Sequence, residues 1–257
     1  MDILRKELNE IYRSQHLDRE RLDSGIIERF RNIVEAMANI NNGCCVITDA
    51  ASDCCYVYGR ALGNMMGWSE DSSLSRVIES SDEDFIYNRL HPADLPDKRL
   101  LEYEFFKAVD PLDSAGKLNA KASCRIRIKD KTGKYVWINN STQILCPSPA
   151  GKIWLILCCY ELSSDQAPAV DISPRIVNNS TGEITVLSFN ELKCHILSDR
   201  EKEILNLIKT GKSSKMIADI LKISKNTVDR HRQNILEKLS VANSFEAINA
   251  AESMSLL

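Results

Sequence analysis

Two hydrophobic periods divide this chain. Leu4, Leu8 and Ile11 recur at helical spacing, and a denser stripe follows at Ile26, Ile27, Phe30, Ile33, Val34, Met37 and Ile40, so the first forty residues read as helix. Asn41, Asn42 and Gly43 end that stripe, Gly43 being suited to a left-handed cap. From Gly43 onward the period falls to two. Residues 44–48 and 54–58 predict a hairpin around a polar turn at 49–53. A helical and loop stretch runs through Gly67-Trp68 and Leu90-His91-Pro92-Ala93-Asp94-Leu95. Three strands then follow at 123–129, 135–145 and 152–162, joined by turn-forming stretches at 130–134 and 147–151. In the first, Cys124, Ile126 and Ile128 alternate with Arg125, Arg127 and Lys129, which puts one face in a core and the other in water. Residues 153–160 are apolar on both faces, so that strand needs a second cover, either the stripe around Phe30 or another subunit. Together these segments predict a five-stranded antiparallel sheet with helices on one side.

Beyond residue 162 the chain changes character. Residues 163–191 read as a linker, loose and polar to Pro168, with a hairpin over 174–187 turning at Asn-Ser-Thr-Gly. Ser198 followed by Glu201 is a capping box that opens a helix with Ile204, Leu205 and Ile208 on one face, and Gly211 stops it. Ser213 starts a second helix with Ile217 and Leu221 inward, and a short turn at Lys222-Ile223-Ser224 leads into a third that runs to Leu239. Two helices joined so tightly form a helix-turn-helix. On the third, Val228, Ile235 and Leu239 make the buried side and leave Lys225, Arg230, Arg232, Gln233 and Lys238 to project. Asn243 and Glu246 repeat the capping pattern for a fourth helix, which carries Ala247, Ile248 and Ala251 on a contact face.

Charge fits this division. Residues 192–257 hold 11 Lys+Arg against 8 Asp+Glu, a net +3, whereas the remainder holds 22 against 28, a net −6. The nine cysteines are odd in number and include the adjacent pairs 44-45, 54-55 and 158-159, so they read as reduced, buried small hydrophobes rather than a disulfide or zinc framework. His16, His91, His195 and His231 are scattered and form no local ligand set; no metal site follows, and no cofactor is indicated. His91 reads as a turn and helix-start residue, and His231 as a helix-packing one. No apolar run is long enough to span a bilayer, and the charged N-terminus Met1-Asp2-Ile3-Leu4-Arg5-Lys6-Glu7 does not look like a secretory signal, so a cytoplasmic protein without membrane contact is expected. No nucleophile with a nearby base and no phosphate-cradling loop marks an enzyme.

Two resemblances sharpen this reading. The order of elements over residues 43–162, with Gly67-Trp68, His91-Pro92-Ala93-Asp94-Leu95 and the run Arg125 to Trp137, resembles a PAS domain. That likeness implies sensing of a small molecule or dimerisation. From Leu197 to Ala247 the pieces Leu-Ser-x-Arg-Glu-x-Glu-Ile-Leu, Gly-x-Ser-Ser-Lys-x-Ile-Ala, Leu-x-Ile-Ser-x-x-Thr-Val-x-x-His and Asn-Ile-Leu-x-Lys-Leu-x-Val resemble a LuxR-type DNA-binding domain without a gap. The resemblance implies a four-helix domain whose third helix enters the major groove of double-stranded DNA, and a homodimer that meets through the fourth helix and acts on the transcription machinery. Matching by position, Asp229, Arg230 and Gln233 face bases; Lys215, Lys225, Thr227, Arg232 and Lys238 hold phosphates; Ala247, Ile248 and Ala251 meet the partner. Asp229, Met216 and Ser244 depart from that pattern, standing where a basic residue, an acid and an arginine are common. The expected class is α+β: an N-terminal helical segment (1–42), a PAS-like domain (43–162), a hairpin-bearing linker (163–191) and an all-α reader (192–257). A quorum-sensing acyl-lactone receptor has a similar length and is the alternative, although no Trp, Tyr and Asp cluster for a lactone head is evident.

Overall fold

A computed structural model describes residues 3–68, 74–81, 83–169, 171–189, 197–239, 241–253 and 256–257. The chain divides into two compact units, one over residues 8–187 and one comprising 188–257 with the first seven residues. The start of the reader at residue 192 lies outside the described residues.

The larger unit is built on one antiparallel sheet. In chain order its elements are α1 (Ile3–Ser14, shared with the other unit), α2 (Ser24–Asn41), β1 (Cys44–Asp49), β2 (Cys54–Gly59), α3 (Ala61–Met65), β3 (Leu74–Ile78), α4 (Asp84–Tyr87), α5 (Leu95–Val109), α6 (Ser114–Asn119), β4 (Ala120–Lys129), β5 (Tyr135–Pro147), β6 (Ile153–Leu162), β7 (Arg175–Asn178) and β8 (Ile184–Val186). The strands lie in the order β3-β2-β1-β6-β5-β4-β7-β8. Among the described residues, eight strands replace the expected five. The five central ones are those the alternation marked, and each edge is extended. On one side β3 pairs with β2, with Leu74 opposite Gly59; on the other, β7 pairs with β4, with Ala120 opposite Asn178. The stretch expected to be a linker therefore gives its hairpin to the sheet, because β4 begins at Ala120 and offers a free edge ahead of residue 123. Of the N-terminal segment, residues 8–42 cluster with this sheet.

The second cover of β6 is α2. Its Val34 and Ala38 are buried in one cluster with Cys45, Ile47, Tyr58, Trp154, Leu155 and Leu157, and Phe30 and Met37 pack on the rim. Asp23 caps this helix, accepting from the Gly25 amide at 2.8 Å. The left-handed residue at its other end is Asn42, at φ 52°, not Gly43. Gly43 is needed for a different reason: a Cβ there would stand 2.8 Å from the carbonyl oxygen of Tyr160 on the neighbouring strand. Along β4 the burial alternates strictly from Ala120 to Lys129, as a half-wet strand requires.

The interior also holds charge. Lys98 Nζ lies 2.9 Å from Glu102 Oε1, both buried one turn apart on α5, and 3.4 Å from Thr142 Oγ1 on β5. Burial pushes the Lys98 ammonium pKa down, but the Glu102 carboxylate, together with Cys124 and Cys158, outweighs it and leaves the value raised. The Tyr87 hydroxyl donates to Glu102, and that of Tyr160 donates to a second buried carboxyl, Glu83, whose pKa burial pushes up. Asp94 accepts from both the amide (2.7 Å) and the Nε (3.0 Å) of Arg127, and His91 Nδ1 accepts from the Ala93 amide at 3.2 Å, which fixes the turn before α5.

Candidate nucleic-acid interface

Among the described residues after 188, the C-terminal unit has four helices: α7 (Asp199–Lys209), α8 (Ser214–Leu221), α9 (Lys225–Leu239) and α10 (Ser244–Ser253). Each boundary has a local cause. The capping box of α7 is complete, with the Glu201 amide donating to Ser198 Oγ at 3.3 Å and the Ser198 amide donating to Glu201 Oε2 at 2.8 Å. Gly211, at φ 78°, turns the chain after α7, and Ser213 Oγ caps α8. Lys222 takes the left-handed cap at φ 53°, a strained position for a side chain that the Arg200 guanidinium helps to hold by donating to the Leu221 carbonyl at 3.1 Å. Ser224 Oγ then accepts from the Thr227 amide at 3.1 Å, and Asn243 Oδ1 from the Glu246 amide at 3.0 Å.

Apolar burial orients α9. Val228, Ile235 and Leu239 sit in a core shared with Ile204, Leu205 and Ile217. The opposite side is polar and open: Lys225, Arg230 and Gln233 are exposed, and Asp229 lies between them half-exposed. Lys225 Nζ bonds Asp229 Oδ2 at 2.7 Å, and this bond, with a second from Ser214, holds the Asp229 carboxyl below its usual pKa. Gln233 Nε2 donates to Glu237 Oε1 at 3.1 Å. Lys215 is exposed on α8, and the Thr227 hydroxyl meets that of Ser224 at 2.8 Å. One helix face thus presents a carboxylate, a guanidinium and an amide within two turns, a donor and acceptor set suited to base edges.

The remaining expected contacts are used inside the domain. Lys238 Nζ bonds Glu201 Oε2 at 2.7 Å and so neutralises a buried carboxylate. Arg232 is half-buried and spans three helices, reaching Ser214 Oγ at 3.3 Å and Ser244 Oγ at 3.0 Å. Ser244, one of the departures, is therefore a packing partner. Ala247 and Ala251 are fully buried in the domain's own core, and Ile248 packs half-buried beside them. What α10 does expose is Phe245, 73% accessible. His231 is half-buried with an unpartnered Nδ1, in keeping with a packing position.

Glu201 carries a pH signature. Burial pushes its pKa up, but the bonds from Lys238 and Ser198 outweigh burial and the net shift is downward. A folded pKa below the unfolded one means stability that is present above about pH 4.3 and is lost as pH falls through the folded value. Glu201→Gln should therefore destabilise this unit by about 1–3 kcal/mol near neutrality. In thermal melts followed by ellipticity, the difference from the parent protein should narrow as pH falls below about 4.3. An equal gap near neutrality and in acid would mean that the carboxylate charge is not what matters.

Among the described residues no helix is long and apolar enough to cross a membrane. The family model for "Bacterial regulatory proteins, luxR family" matches residues 195–251. The uncharacterized response regulatory protein YgeK of Escherichia coli (strain K12) is 47% identical over 60 residues, covering 23% of this chain and 41% of that protein. The transcriptional regulatory protein DegU of Brevibacillus brevis is 38% identical over 78 residues, covering 29% and 33%. The chain thus spans well under half of these relatives. Among solved structures, the phage VqmA-DPO complex aligns over 91% of this chain and 92% of its own at 16% identity and a TM-score of 0.31. The sensory box histidine kinase/response regulator of Burkholderia thailandensis E264 aligns over 51% and 85% at 14% identity and a TM-score of 0.35. The C-terminal segment, residues 195–251, is a luxR-family helix-turn-helix domain.

Proposed function

We propose that the chain is a cytoplasmic transcriptional regulator that binds double-stranded DNA as a homodimer through α9. The observation that carries this is the open polar face of α9 within the luxR-family segment, where core packing leaves Asp229, Arg230 and Gln233 pointing outward. These three read bases, while Lys215, Lys225 and Thr227 hold phosphates. Partner contact through α10 falls to Phe245 and Ile248, not to the buried alanines. The transcription machinery is the downstream partner.

Residues 43–162, with α2 as their cover, form a PAS-like signal unit; the succession of β1 and β2, a middle of helices with the edge strand β3, and then β4 to β6 supports this reading. Its role is to sense a small molecule or to mediate dimerisation; the cavity beside Tyr87, Glu102 and Thr142, about 20 Å³, has room for a water and not for a larger effector, which favours dimerisation.

Arg230 tests the reading. Arg230→Ala should weaken binding to a preferred sequence by about 1–3 kcal/mol, or roughly 5- to 150-fold, with a much smaller loss on random DNA. Lys225→Ala should weaken both alike. Gel-shift titrations on the two DNAs separate these cases, and equal losses for Arg230→Ala would remove it from the base-reading set.

A further inference from the structure

Outside the helix-turn-helix, one pair of reactive side chains has been brought together by the sheet. Cys45 on β1 stands directly opposite Cys159 on β6 in the antiparallel register. Both side chains therefore leave the same face of the sheet, and their sulfurs are 3.8 Å apart. Residues paired across antiparallel strands have Cα separations of about 4.5–5.5 Å, inside the range of about 4.4–6.8 Å that a disulfide spans, so bond formation asks for side-chain rotation and little of the backbone. The two cysteines differ in access. Cys45 is buried in the cluster under α2, whereas Cys159 is half-buried and opens onto a polar groove between Asn139, Ser141 and Glu161, with Met37 and Asn41 at its rim. Cys44 and Cys158, their sequence neighbours, alternate to the other face, where Cys158 meets Thr142 at 3.6 Å.

We infer that Cys45 and Cys159 are an oxidation site that closes reversibly to a cross-strand disulfide, with a peroxide as oxidant. The solvent-facing sulfur of Cys159, having released its proton, attacks a peroxide oxygen. The O–O bond breaks, Cys159 becomes a sulfenic acid, and the first water leaves. The Cys45 sulfur then attacks the Cys159 sulfur. The S–S bond forms, the S–O bond breaks, and the departing hydroxide takes the Cys45 proton as a second water. Two thiols are oxidised by two electrons and one peroxide is reduced to two waters. The hydrogen bond with Cys45, together with burial, holds the Cys159 thiol above the usual thiol range, so its thiolate is scarce and the first step is slow. Once closed, the bond fastens the two central strands beneath α2 and ties together residues 114 positions apart. A loop of that length makes the link strongly stabilising to the unit.

The test uses the full chain treated with hydrogen peroxide, then alkylation, tryptic digestion without reductant and mass spectrometry. The expected product joins the peptide of residues 32–60 to that of residues 153–175. It should vanish in Cys159→Ser and in Cys45→Ser, persist in Cys44→Ser and Cys158→Ser, and revert with dithiothreitol. The oxidised parent protein should also melt about 5 °C or more above the reduced form. Cys159→Ser, being half-exposed, keeps the test open should Cys45→Ser fold poorly. Survival of the linked peptide in Cys159→Ser would overturn the assignment, as would oxidation that stops at sulfinic acid with no linked peptide.

Discussion

Lys98→Met should cost the larger unit about 3–5 kcal/mol, because it strands the buried Glu102 carboxylate without its ammonium partner. Lys98→Met combined with Glu102→Leu should recover most of that loss, since replacing both members of a buried pair with apolar groups of similar size is close to neutral. The comparison is sharp because all three tryptophans, Trp68, Trp137 and Trp154, belong to residues 8–187. Urea unfolding followed by tryptophan fluorescence therefore reports this unit alone. A double variant as unstable as the single one would show that the pair is held by more than its own charge. If Lys98→Met lost under about 1 kcal/mol, the site would have to be far wetter than its burial indicates.

Trp154→Ala should be comparably severe, at about 3–5 kcal/mol by the same measurement, with Trp68 and Trp137 as the remaining reporters. Trp154 is fully buried at the start of β6, and its Nε1 donates to Asp49 Oδ1 at 3.1 Å. Truncation leaves a cavity under α2 and also removes a hydrogen bond from a buried carboxylate. Trp154→Phe keeps most of the volume and loses the donor. It should fall between the two and apportion the loss between packing and hydrogen bonding.

What could be read from the sequence, and what could not, follows the range of the forces involved. The alternation of Cys124, Ile126 and Ile128 with charged neighbours is a local signal, and the strand formed where it appeared. The both-faced apolar run at 153–160 carried a demand for a second cover, and of the two candidates the stripe around Phe30 meets it. Capping at Ser198, Ser213, Ser224 and Asn243 was also local, so the helix-turn-helix boundaries were legible. β3 was missed because it is a five-residue edge strand in a mostly polar stretch, too short for a period to stand out. The hairpin of β7 and β8 was visible as a hairpin but not as part of the sheet, since pairing with β4 is tertiary. The same holds for charge. Lys98 and Glu102, four apart on a helix, look like a solvated surface pair until the sheet covers them. Lys238 and Glu201 meet across 37 positions, and nothing local distinguished Lys238 from the lysines that project. Ala247 and Ala251 are small residues at helical spacing, and nothing local told a core face from a partner face; in the fold both lie in the domain's core.

The central claim is that α9 offers its polar face to duplex DNA. It is tested most directly by the affinity of the full chain, across a salt series, for DNA fragments selected from a random pool. Two phosphate-holding lysines, Lys215 and Lys225, in each copy of a homodimer neutralise roughly four phosphates, so log K should fall against log[salt] with a slope of about −3.6. Affinity should drop by roughly 150-fold between about 50 and 200 mM salt. A flat dependence, or no binding at the lowest salt, would contradict the account.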